Sequence, residues 1–432
     1  MTSKANSLED IVNMFKPRAL TEEQSEFYQK TSAVRSGDMY EFHADLFERI
    51  KISDVHERLL VVGHMGCGKS TELSMLKKKL SNDNFAAIHI EIFDKLDLNN
   101  FNYIDIFMLI VEEVVQYAKE HNLNVDNTLI SIFEKAISTQ ITSEFVTKEA
   151  NANAEAAISA STPRILSFLS MVAKINTSLK LGSGRKEVFH RELQPKISEM
   201  IASLNGFIEH ISELSNRKVV IILDGLEKCR HERVFAFFVE DITTILSIKA
   251  HLVLACPIAV YRSVGGSVLS SYFPAPGMIP MIKTHYQDGS LYPEGIEVIK
   301  ELILKRADVS FFEENILETI IEKAGGSLRD TFNLLSNSAF EAIMRRRNTI
   351  DMSSTEVALK RFATDVFFRV EPKLYPKVKE IYYGNHMASS DHELSELLYS
   401  GAVFEYINGE PWVNLHPLFR EYLKKKPEVL SD

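Results

Sequence analysis

Nine residues, Gly63-His-Met-Gly-Cys-Gly-Lys-Ser-Thr71, constrain this chain more than any other stretch. They satisfy G-x-x-x-x-G-K-[ST] in the context that gives the pattern meaning, with an apolar run, Arg58 to Gly63, before them and a helical pattern, Lys69 to Leu80, after. Strand, glycine turn and helix predict a loop whose backbone N–H groups converge on phosphate oxygens, helped by the partial positive charge of the helix start. Gly63, Gly66, Cys67, Gly68, Lys69, Ser70 and Thr71 would line the phosphates. Lys69 would reach the β- and γ-phosphates and Ser70 would ligate Mg2+. The expected ligands are therefore ATP or ADP with Mg2+.

Such a loop requires a second acid to hold the metal, at the tip of a neighbouring buried strand. Val219-Val-Ile-Ile-Leu-Asp224 supplies one, because a run this continuously apolar suits a parallel strand covered on both faces. A carboxylate at its end is costly unless it meets water or a cation. Asp224 is thus the expected metal-binding aspartate. The next residue is Gly225 rather than an acid, so Glu227 is the nearest candidate base for activating water.

The remaining pattern alternates strands with helices. Phe85 to Phe93 reads as a second strand, Phe101 to Lys119 as an apolar helix, Lys218 to Leu223 and His251 to Cys256 as buried strands, and His231 to Ile248 as the helix between them. This alternation predicts an α/β fold with a parallel sheet. Between the second and third strands lies an excursion of roughly a hundred residues, well beyond an ordinary βαβ crossover. Its middle, Lys148 to Ser161, is Ala/Asn-biased and reads as an insertion; Glu187 to Leu214 then reads as one long helix. Beyond residue 286, Pro293 to Ala307, Glu313 to Ala324 and Ser327 to Arg346 form a helical lid, with Gly325-Gly326 as a stop signal. Helices at Ser354 to Val370 and His392 to Tyr399 precede two short strands joined at Asn408-Gly409, an arrangement that suggests a winged helix. The expected domains are a mixed, polar lead-in over 1–38, a core over 39–286 with an insertion around 126–186, a lid over 287–348 and a winged helix over 349–432.

The chain has 432 residues, 45% hydrophobic and 25% charged, and a formal charge of −10, so no global electrostatic pull towards nucleic acid or an anionic membrane exists. Residues 349–432 carry ten Lys/Arg against thirteen Asp/Glu, which argues against strong phosphate-driven DNA binding by the winged helix. The start lacks a signal-peptide core, and Cys67, Cys229 and Cys256 show no metal-ligand spacing, so a cytoplasmic protein is expected. The apolar stretch Ile165 to Leu181 is interrupted by Lys174, Asn176 and Lys180, and is expected to be core or an oligomer contact rather than a membrane span.

Asp224-Gly-Leu-Glu227 resembles the D-G-x-[DE] motif of STAND-class ATPases, especially the NACHT group, relatives of AAA+ proteins. His416-Pro-Leu-Phe-Arg-Glu-Tyr-Leu423 resembles the H-x-x-F-x-E-[FY]-[LF] segment of the NACHT winged helix, whose histidine approaches the nucleotide's β-phosphate. A histidine that fixes the strand-to-helix corner is the other reading. Gly326-Ser-Leu-Arg329 resembles the sensor 2 motif of AAA+ proteins such as the origin-recognition ATPases, which implies that Arg329 reaches the γ-phosphate. The sensor 1 strand, His251 to Cys256, lacks an Asn or Thr at its tip; Arg262, just beyond, is either a phosphate sensor, an arginine finger or a solvated side chain. Tyr28 and Arg35 stand where this class frames the adenine.

Gly63 to Leu73 also looks like the loop of bacterial stand-alone ATPases with G-H-x-G-C-G-K-S-T-E-L. Together these resemblances imply a slowly hydrolysing, nucleotide-dependent switch or assembly ATPase. For such a switch the sensor or effector is expected to be the insertion or another polypeptide, because neither an enzymatic effector pattern nor a repeat array accompanies the motifs; a homo-oligomer is a further partner considered. Relatives of STAND ATPases often serve in antiphage defence. A DNA loader that uses the winged helix is the alternative.

Overall fold

The computed structural model describes residues 4–124, 127–137, 164–180, 186–384 and 386–430. Seven strands are described: β1 (Arg58–Gly63), β2 (Phe85–Glu91), β3 (Lys218–Asp224), β4 (His251–Pro257), β5 (Gly277–Ile279), β6 (Val403–Asn408) and β7 (Glu410–Leu415). The first five form a parallel sheet in the order β2-β3-β4-β1-β5, and β6 and β7 form an antiparallel pair. The α/β class expected from the alternating pattern is thus observed. β5 went unread in the sequence, because three residues containing a glycine carry no periodicity.

The chain divides into two compact units, one of residues 1–46, 61–76 and 256–432, the other of residues 47–60 and 77–255. In the second unit β2, β3 and β4 pair in parallel, from Phe85↔Lys218 to Glu91↔Asp224 and from Val220↔His251 to Leu223↔Leu254. Val219 to Leu223 are fully buried, as a strand covered on both faces requires. The helix Tyr103–Glu120 starts at Asn102, whose side chain accepts from the N–H groups of Ile104 and Asp105.

The helix Arg164–Lys180 buries Phe168, Val172 and Ile175, and Asn176 donates to Met108 O and to the Glu112 carboxylate on the helix Tyr103–Glu120. This apolar stretch is therefore core packing. Among the described residues no helix is long and apolar enough to cross a membrane. The Ala/Asn-biased segment 148–161 lies outside the described residues.

Two expected helices are broken. Glu187 to Leu214 is two helices, Lys186–Leu193 and Ile197–Ser215, separated by a 3-10 turn at Gln194–Lys196, since Pro195 has no N–H to continue the ladder. His231 to Ile248 contains a π-helical turn at Phe237–Asp241. One extra residue per turn there leaves both Phe237 and Phe238 buried.

In the first unit, Val61 to Gly63 of β1 pair with Gly277 to Ile279 of β5. Helices Pro293–Leu304, Ile316–Ala324 and Leu328–Met344 follow. Gly325 and Gly326 both hold positive φ, which ends the second of these helices and re-aims the chain before Ser327 caps the third. The lead-in is more structured than its polar composition suggests. It contains a helix, Leu8–Met14, that packs on Leu328–Met344, with the Phe15 and Phe332 rings 5.2 Å apart. The C-terminal portion runs through helices Met352–Phe368, Tyr375–Tyr382 and His392–Ser400, then the β6–β7 hairpin and the helix Pro417–Lys424. Asn408-Gly409 sits at the hairpin turn, as read from the sequence, with Gly409 at φ 77°.

Candidate functional site

β1 delivers the chain to Gly63, the loop turns over residues 64–68, and a helix begins at Lys69. Gly66 and Gly68 have φ of 85° and 105°, values open to glycine and strained for other residues. Gly63 is needed for a different reason: a Cβ there would stand 2.7 Å from Ile279 O and 2.8 Å from Cys67 Sγ. Lys69 is only 3% exposed, and its Nζ donates to Gly63 O at 3.0 Å and His64 O at 2.8 Å. The ammonium is thus held over the loop's own backbone. Ser70 and Thr71 are half-buried in the first helical turn, and Thr71 N donates to Gly68 O at 3.1 Å.

Tyr28 and Arg35 both lie beside this loop. Arg35 is buried and donates to Cys67 O at 2.6 Å, Thr31 Oγ1 at 2.9 Å and Pro280 O. Burial lowers its pKa from the usual guanidinium value. The Tyr28 hydroxyl lies 2.8 Å from a carboxylate oxygen of each of Glu41 and Glu72 and shares its one proton between them; burial and these carboxylates push its pKa up. Burial also acts to raise Glu72, but hydrogen bonds from His43 and Tyr28 outweigh it, so this carboxyl lies below its ordinary value. The Glu41, His43 and Glu72 cluster escaped the sequence reading. Its only signal was the acid one place after Thr71 in the first turn of the loop helix.

The start of the helix Leu328–Met344 sits on the loop. Arg329 N donates to Gly66 O at 3.4 Å, and its guanidinium touches Met65 Sδ. A Cβ on Gly66 would approach Arg329 Cβ to 2.5 Å, and one on Gly68 would meet Leu328 at 3.6 Å. The sensor-like arginine is thus placed against the second glycine of the motif.

Arg262 is not a solvated arginine: it makes a two-pronged ion pair with Glu405, both bonds 2.7 Å, and Glu405 is 1% exposed. Burial acts to lower the Arg262 pKa, but Glu405 outweighs it and the net shift is upward. His416 is fully buried at the corner between β7 and the last helix. Its Nδ1 caps that helix by accepting from Leu418 N at 3.2 Å. Its Nε2 has no hydrogen-bond partner and lies 3.7 Å from Asp330 Oδ2.

In the other unit, Asp224 ends β3, buried, with Oδ1 accepting from Gly225 N at 2.8 Å and Oδ2 3.8 Å from His89 Nε2. Gly225, at φ 93°, turns the chain into a short 3-10 segment that carries Glu227. Glu227 is 6% exposed, and its Oε2 has no hydrogen-bond partner. Among the described residues no cluster of three His, Cys, Asp or Glu side chains forms a metal cage. Mg2+ does not need one, because it commonly takes one or two protein oxygens and completes its shell with phosphates and water.

No curated protein matches the chain. Among solved structures, the chain is similar to the Walker-type ATPase paby2304 of Pyrococcus abyssi at 14% identity, TM-score 0.44, covering 95% of this chain and 99% of that one. It is similar to the Aeropyrum pernix ORC2 protein in ADPNP–ADP complexes at 10% identity, TM-score 0.44, covering 98% of each chain. Cdc6p from Pyrobaculum aerophilum shows 12% identity and TM-score 0.38, covering 96% of this chain and 98% of that one. Residues 45–254, which contain the glycine loop, Asp224 and Glu227, match the family model described as the KAP family P-loop domain.

Proposed function

We propose that this chain binds ATP with Mg2+ at the glycine loop, hydrolyses it slowly, and acts as a nucleotide-dependent switch. One observation carries the reading: Lys69, almost fully buried, is held on the loop carbonyls of Gly63 and His64, and the start of the lid helix rests on Gly66. A triphosphate bound by such a loop meets a preorganised ammonium, and any change in the loop reaches the lid through Arg329. The motifs assign Ser70 and Asp224 as magnesium ligands; the ion would neutralise charge on the β- and γ-oxygens. Tyr28 and Arg35 shape the loop's flank, and Arg329 couples the lid to the γ-phosphate.

The proposed organisation has a lead-in to residue 38, a core to 286, a lid to 348 and a winged helix to 432. His416 in this scheme responds to the nucleotide through the lid acid Asp330. The STAND/NACHT-like motifs support a cytoplasmic switch whose output is read by a separate protein or by a second copy, with antiphage defence as the setting. DNA is not favoured, given the net negative charge of residues 349–432.

Glu227 is the proposed general base. Glu227→Gln keeps the shape of the side chain and removes its ability to take the water proton, so phosphate release should fall about 100-fold or more. The measurement is a single-turnover phosphate-release assay with MgATP stabilisation followed in parallel. Wild-type turnover in the variant would remove Glu227 from the mechanism, and no turnover in the wild type would remove the ATPase reading.

A further inference from the structure

His64, the second residue of the glycine loop, holds Lys69 through its backbone and makes a second bond through its side chain. Its carbonyl accepts from Lys69 Nζ at 2.8 Å. Its ring, 2% exposed, lies edge-on to Phe404 with centroids 5.5 Å apart, and its Nε2 accepts from Glu405 N at 2.7 Å. A backbone N–H can only donate, so Nε2 is the unprotonated nitrogen and the proton resides on Nδ1. Burial, together with the nearby charges of Lys69 and Arg262, pushes the His64 pKa down to about 3, which keeps this acceptor available.

The strand that receives the bond is itself fixed. The Glu405 carboxylate is locked by Arg262, its carbonyl accepts from Met281 N at 3.4 Å, and the Phe404 ring also packs against His416, 5.1 Å away. His416 in turn faces Asp330, one residue beyond the Arg329 that rests on Gly66. The loop is therefore touched from two sides, by the lid at Gly66 and by the hairpin at His64.

We propose that His64 is a positioning residue that transmits phosphate occupancy of the loop to the β6–β7 hairpin. The proposal rests on the nucleotide reading of the loop. An incoming phosphate draws on the same ammonium that holds the His64 carbonyl. Carbonyl and ring belong to one residue, so a changed hold on one re-aims the other, and the bond to Glu405 N registers it. The lysine that grips phosphate and the strand that reports it are separated by a single side chain.

Hydrogen exchange over residues 403–408, with and without saturating MgATP, tests this in the full chain. In the wild type, nucleotide should change the exchange rate of this hairpin strand by about fivefold or more. His64→Gln offers an amide oxygen to Glu405 N and should retain the response. His64→Leu fills the space without an acceptor and should reduce the response to less than about twofold, a loss that simple loosening of the fold would not produce.

A wild-type chain that MgATP stabilises against heat but whose hairpin exchange does not change would overturn the inference alone. So would a His64→Leu chain with the wild-type response. Loss of MgATP binding in both variants would place His64 in the phosphate grip itself and overturn the coupling role. A wild-type chain that MgATP does not stabilise at all would overturn the nucleotide reading and this inference with it.

Discussion

Replacing Lys69 with alanine is expected to abolish the thermal stabilisation that MgATP gives the wild-type chain. A ligand that binds only the folded state stabilises it by about 2.7 kcal/mol at a hundred times its dissociation constant. For a domain of about 150–250 residues that is a rise in melting temperature of about 5–10 °C. The Lys69 ammonium is nearly buried and already aimed by Gly63 O and His64 O, so little ordering is left to be done when phosphate arrives. Alanine removes that charge and also leaves two loop carbonyls without their donor, which should lower the melting temperature of the unliganded chain as well, by about 1–3 kcal/mol of stability. The two effects separate in one pair of melting curves, with and without MgATP. A variant that keeps the wild-type shift would show that Lys69 does not meet the phosphates.

The second large effect is expected from Gly326→Ala. This glycine sits at φ 83°, and an added Cβ would fall 1.7 Å from the Ile282 carbonyl oxygen. No rotamer relieves a clash between Cβ and backbone, so the turn itself must move. That turn sets where Ser327 caps the helix Leu328–Met344 and where Arg329 rests on Gly66. The expected loss is about 3–5 kcal/mol, at the upper end for a single substitution, and a fall in melting temperature of about 10 °C or more. Gly289→Ala is the control. Its φ is 87° but nothing lies within 4 Å of an added Cβ, so only the backbone strain of about 1–2 kcal/mol should appear. Equal losses in the two variants would mean that the lid turn is not held against Ile282.

What the sequence disclosed follows from how local each signal is. The glycine loop, the buried strand that ends in Asp224 and the Asn-Gly hairpin are encoded in consecutive residues, and each appears where it was read. Pro195 was just as local, yet a strong apolar period on either side of it masked the break. β5 and the helix Leu8–Met14 are short, and what makes them regular is a partner far along the chain: β1 for one, the helix Leu328–Met344 for the other.

The contacts around the loop are hardest to foresee for the same reason. Nothing in the spacing of His64 and Glu405, 341 positions apart, announces a hydrogen bond, and neither does that of Arg262 and Glu405, 143 positions apart. His416 was legible as a residue of interest through its motif. Its burial and its role as a helix cap emerge only once Phe404 and Phe362 are seen against its ring.

The glycine loop is proposed to hold a nucleotide triphosphate together with a divalent ion. Calorimetric titration of MgATP into the wild-type chain, repeated with the magnesium chelated, tests it most directly. The expected result is a single saturable site per chain whose affinity drops about tenfold or more without the metal. No saturable binding at millimolar MgATP, or binding indifferent to both magnesium and the removal of Lys69, would contradict it.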